Sequence, residues 1–236
     1  MTDPHRRLRN ALDALDVAFA PLTSDAITVG GCTHCYADSD LAALEGPVDQ
    51  VPDDLISSIA AKSVGHWDDF PALYRRMTPR IVRLLATDQL HVDHGLIASR
   101  LVTAGWHDWP VPQRDALEQV WHAWWRSTLH EHPGPAYIMG VLETIAVSTR
   151  TRTLAPWLTI WADTRTEAAD RHLDDALDAW LFETRLTTLR LGFYDELDAT
   201  VELVPWLLSL GAARIGATRF FEVERISLGQ AMPHHP

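Results

Sequence analysis

The sequence predicts an all-α fold of antiparallel helical pairs. Apolar residues recur at helical spacing in almost every legible segment, the connections are short, and no segment alternates apolar and polar residues like a half-buried strand. At 236 residues the chain can bury one large core, so a single all-α domain is expected over residues 1–228. Any subdivision would fall near residue 150. Residues 229–236 lack periodicity and read as a flexible tail.

The first helix is marked by Leu8, Leu12, Leu15 and Phe19 on one face, with Pro21 expected to stop it. Leu22 to Tyr36 is irregular. Ser39 or Asp40 can cap a short helix that Gly46-Pro47 closes, and Pro52-Asp53-Asp54 opens the next with acidic groups in its first turn. Trp67 to Leu85 is basic and amphipathic, with an interruption expected at Pro79, and Val92 to Ala104 ends at Gly105. After the rigid turn Asp108–Pro112 comes the clearest stripe, Leu117, Val120, Trp121, Trp124 and Leu129. Further helices are expected over 137–147, 157–162, 167–182, 197–210 and 213–223, for nine or ten in all. Ala155-Pro156-Trp157-Leu158 is echoed by Val204-Pro205-Trp206-Leu207 at a spacing close to the period of about 40–47 residues in helical repeats, which admits a short HEAT-like stack.

Composition narrows the function classes. A formal charge of −12 opposes nucleic-acid binding, which draws on basic patches; the cluster Arg75, Arg76, Arg80 and Arg83 is expected to pair with nearby carboxylates. No apolar run approaches the ~20 residues of a membrane span, and the N-terminus lacks a signal-like apolar stretch, so a cytoplasmic location is expected. Asp68-Asp69 and the Asp174-Asp175-Asp178 run lack the paired, helically spaced metal motifs of all-α magnesium enzymes, and no Glu-x-x-His pair suits a di-iron bundle.

Both cysteines fall in one tetrapeptide, Cys32-Thr33-His34-Cys35, directly after Gly30-Gly31. Two thiols at this spacing can share a tetrahedral metal, form a redox pair, or stand as quiet half-buried thiols. With no second cysteine pair, zinc would need histidine or carboxylate ligands. His66 is the expected third ligand to Cys32 and Cys35, and His91 and His94, three apart in a short loop that resembles a metal-binding one, are further candidates. In an enzymatic alternative, Cys32 or Cys35 is a nucleophile, His34 or His66 its base, and Arg80 holds an anion.

Ten tryptophans stand out, five of them between residues 106 and 125. Most suit a core; Trp125, beside Trp124 and so about 100° round the helix, is the expected exposed contact for a partner. Gly31-Cys32-Thr33-His34-Cys35, Thr78-Pro79-Arg80-Ile81, Gly105-Trp106-His107-Asp108-Trp109-Pro110 and Trp124-Trp125 together resemble a family of uncharacterised bacterial proteins. Its members carry an early amphipathic helix, a Gly-Cys-x-(Cys/His)-Cys knuckle, a Leu-Pro-Arg-Ile segment and a Gly-Trp-x-x-Trp-Pro box. Thr78 departs from the usual leucine, and the resemblance covers roughly residues 8–130. It implies that these motifs travel together and implies no reaction. The expectation from sequence is a non-catalytic helical adaptor that binds a protein partner or a copy of itself, with zinc at the knuckle.

Overall fold

The computed structural model describes residues 3–135, 137–183 and 186–231. Among them twelve α-helices occur, and the fold is predominantly all-α. They are α1 (Asp3–Thr23), α2 (Asp38–Glu45), α3 (Asp53–Ala61), α4 (Phe70–Ala86), α5 (His94–Thr103), α6 (Val111–Thr128), α7 (Ile138–Ser148), α8 (Ala155–Asp163), α9 (Glu167–Asp178), α10 (Thr200–Leu210), α11 (Ala212–Ile215) and α12 (Ala217–Ala231). None is long and apolar enough to cross a membrane.

Helix α4 organises the first half. Leu73, Tyr74, Met77, Ile81, Val82 and Leu85 are all buried, because α1, α3 and α5 pack round it. The expected break at Pro79 does not occur: burial on nearly every side continues the helix past a residue that local propensity disfavours. Pro21 likewise lies inside α1; Val17, whose carbonyl loses its partner there, is on the exposed face. Side chains fix several helix starts. Asp69 accepts from Ala72 N–H at 3.0 Å, Asp93 from Leu96 N–H at 2.8 Å and Thr166 from Ala169 N–H at 3.1 Å. Helix α2 begins at Asp38, and Asp40 reaches back to accept from Ala37 N–H at 3.0 Å.

Three further expectations are corrected in the second half. Residues 197–198 do not begin a helix: Arg190–Leu191 and Leu197–Asp198 pair antiparallel as strands β1 and β2, too short for alternation to be visible in sequence. Gly216, at φ 83°, divides the expected 213–223 helix into α11 and α12. Of the expected tail 229–236, residues 229–231 are the last turn of α12, and 232–236 lie outside the described residues. The two Pro-Trp-Leu segments also sit in different registers, with Pro156 in the first turn of α8 and Pro205 in the interior of α10.

Trp125 is not a surface contact. It is 0% exposed, its ring meets Trp161 edge-on at 5.4 Å, and its indole N–H donates to Trp157 O at 2.9 Å. The other tryptophans explain why. Trp106 donates to Ser148 O at 2.7 Å, Trp109 to Ala104 O at 3.2 Å and Trp161 to Ala169 O at 3.0 Å. Ser148 and Ala104 lie at helix C-termini, where carbonyls lack helical partners. The indoles therefore fill the core and tie helix ends together.

Candidate metal centre

The loop between α1 and α2 is held in place by side chains of α4 and α2. Arg76, buried on α4, donates to Leu22 O and, at 2.6 Å, to Gly46 O, so one guanidinium spans the entry and exit of the loop and α2. Glu45 adds a second clasp, accepting from Val29 N–H through Oε1 at 3.2 Å and from Ile27 N–H through its carbonyl at 3.1 Å.

The loop then runs antiparallel to residues 66–68. Gly31 bridges Trp67, Cys32 N–H donates to His66 O at 2.8 Å, and Asp68 N–H donates to Gly30 O at 3.1 Å. Both glycines sit at a close approach here. A Cβ on Gly30 would stand 2.0 Å from an Asp68 carboxylate oxygen, and one on Gly31 would stand 2.9 Å from the Trp67 ring. Beneath, Tyr36 packs on Trp67 with centroids 4.6 Å apart, and its hydroxyl lies 3.0 Å from Ser58 Oγ. The turn closes with Cys35 N–H and Tyr36 N–H both donating to Cys32 O, at 3.0 and 3.1 Å.

This backbone pairing brings His66, thirty-odd residues downstream, to the thiols. One ligand atom from each of Cys32, Cys35 and His66 lies within 4.8 Å of the others, and Cys35 Sγ is 3.5 Å from His66 Nδ1. Ligands about 2.0–2.3 Å from a tetrahedral zinc lie about 3.5–3.8 Å apart, so the sulfur–nitrogen pair is already at bonding spacing. The three residues can hold a metal ion. Both cysteines are free thiols, and Cys35 is exposed. The Cys32 thiol is pushed down from 9.0 to about 6, chiefly by its hydrogen bond with His66, helped by backbone groups of His34 and Cys35. A thiolate is the form that binds metal or attacks an electrophile.

The other sequence candidates go elsewhere. Arg80 pairs with Asp53 at 2.5 Å and lines a different hollow with Asp16, Thr23 and Asp49. His34 is exposed in the turn and is not a member of the three-residue group. His91 is exposed, while His94 begins α5 and bonds Thr144, leaving the knuckle without either. Sequence reasoning missed a second concavity that gathers His94 and Glu143. Its one local signal was a lone glutamate inside the apolar helix Ile138–Ser148.

Comparison with family models, curated proteins and solved structures found no match to this chain.

Proposed function

We propose that this chain is a non-catalytic helical adaptor in which Cys32, Cys35 and His66 hold one zinc ion. The observation that carries the zinc site is the convergence of two sulfurs and one imidazole nitrogen from a loop and a distant turn. Thiolate and imidazole suit zinc, and reduced thiols in this pattern are a usual donor set for it. The ion would clamp the Gly30–Tyr36 loop to the Val64–His66 turn, adding metal–ligand bonds to the short backbone pairing. Three protein donors leave a fourth position. With Cys35 exposed, that position faces outward, where water or a donor from a protein partner or second copy can complete it.

Protein purified without added metal is expected to contain about one equivalent of zinc by elemental analysis. Cys32→Ser with Cys35→Ser should remove it and lower the melting temperature. Metal-free wild type with an unchanged melting temperature in the double variant would refute the zinc site. The adaptor role predicts a stoichiometric partner or a self-associated mass for the zinc-loaded chain; a strictly monomeric, partnerless protein would count against it.

A second reading has its own support. The lowered Cys32 thiol beside His66 also fits a nucleophile activated by imidazole, with the thiolate attacking an electrophilic substrate. Metal analysis separates the two, because a zinc-bound thiolate is protected from alkylation and a nucleophile is not.

A further inference from the structure

A cavity of about 360 Å³ lies between α5, α7, the π-helical turn Ala179–Glu183 and strand β1, and shares no residue with the knuckle. Its polar wall is Asp93, His94 and Glu143; Trp180 and Leu191 are among the apolar residues facing them. His94 Nδ1 stands 2.9 Å from Thr144 Oγ1, and that hydroxyl donates its one hydrogen to Gly140 O at 2.9 Å. With that hydrogen on Gly140 O the hydroxyl accepts from the ring, which corresponds to the tautomer with its proton on Nδ1 and its lone pair on Nε2. Glu143 uses Oε1 to accept from Gly192 N–H at 2.7 Å, at the turn after β1. Among the described residues no lysine or arginine lines the cavity.

We propose that this cavity binds a small organic ammonium ion, its nitrogen donating to Glu143 and to His94 Nε2 and its apolar body lying against Trp180 and Leu191. Two acceptors on one wall ask for a ligand group with several donors, which an ammonium supplies and an alcohol or carboxylate does not. Charge points the same way. Burial, with Asp93 and Glu196 nearby, raises the pKa of Glu143, and burial lowers that of His94, so the wall holds no cation of its own and a bound one would favour the carboxylate form of Glu143. A bound ammonium compensates that charge. Trp180, buried apart from the edge that lines the cavity, offers the ligand's carbon body an apolar wall. A bare metal fits less well: the oxygens and nitrogen of Asp93, Glu143 and His94 do not form a close-spaced group like the one at the knuckle.

Phenethylamine, 2-phenylethanol and 3-phenylpropionate share one apolar body and differ in the head group. Titrated into the full chain by calorimetry, with the Met139 and Leu191 methyl resonances as reporters of place, the amine is expected to bind and shift both methyls. The alcohol should bind roughly tenfold more weakly or worse, and the carboxylate not at all. Glu143→Gln keeps the side-chain shape and the oxygen that Gly192 needs, and should cost the amine roughly tenfold while the zinc content stays at its wild-type value. Equal binding of amine and alcohol, preference for the carboxylate, amine binding that leaves the two methyls unmoved, an undiminished Glu143→Gln, or no amine binding would each overturn the proposal. The wild-type comparison decides the matter even if the variant does not fold.

Discussion

Cys32 shows how little chain is needed to alter a thiol. One hydrogen bond from His66, with backbone groups of the turn, brings it from 9.0 to about 6, and the residue remains close to solvent. Because the folded value lies below the unfolded one, the thiolate favours the folded chain. That contribution is complete above about pH 9, declines as the pH falls from 9 toward 6, and is absent below it. The same shift is readable by kinetics. In metal-free protein the alkylation rate at Cys32 should rise with a midpoint near 6, and His66→Ala should move that midpoint up by about one unit or more. Peptide mapping of iodoacetamide adducts across pH gives both curves; an unmoved midpoint in His66→Ala would assign the activation to the backbone of the turn instead. Trp125 teaches the opposite lesson at the same scale. Its neighbour Trp124 shares its burial, because α6 is enclosed by α1 and α7 on one side and by the α8 region on another, so adjacency on a helix said nothing about exposure.

At the level of elements, helical periodicity was legible because most helices present one buried stripe; Leu8, Leu12, Leu15 and Phe19 of α1 behave as their spacing requires. Of the two prolines misread as breaks, Pro79 sits where packing outweighs propensity and Pro21 where the carbonyl it leaves unpaired is on an exposed face, and β1 with β2 is too short to carry a period. At the knuckle the cysteine pair was visible because it is local. The place of His66 depended on the antiparallel bridge between Gly31 and Trp67, which no local pattern encodes. The cavity at His94 and Glu143 was still less visible, since α5 and α7 meet only in the folded chain. Another such meeting joins α10 to α8. Glu202 accepts from Leu154 N–H at 3.0 Å, Ala155 N–H at 2.9 Å and Thr153 Oγ1 at 2.6 Å, placing a carboxylate on the N-terminus of α8. Glu202→Ala should therefore destabilise the fold by about 1–3 kcal/mol, measured by urea unfolding. A change under about 0.5 kcal/mol would mean that water replaces the carboxylate without loss.

Across the whole molecule, the apolar core runs continuously from Ala11 to Val223, so residues on both sides of position 150 share it. The knuckle loop contributes little to that core. Between Thr23 and Asp38 only Val29 and Tyr36 are buried, and the loop depends on Arg76, Glu45 and the bridge to Trp67 for its place. Regions with few buried contacts open locally at lower free energy than the core does. Removing a metal from Cys32, Cys35 and His66 should accordingly loosen one segment while the body stays folded. Hydrogen exchange before and after chelation is the measurement. Amides of residues 27–36 and 66–68 should exchange at least roughly tenfold faster without metal, and those of α6 and α7 should change far less. The contrast follows from where the contacts lie: the indoles of Trp106, Trp125 and Trp161 bond helix to helix within the body, and none of them reaches the loop. Uniform acceleration across α6 and α7 would instead make the metal part of the global fold, and no acceleration at the loop would show that its clasps suffice without an ion.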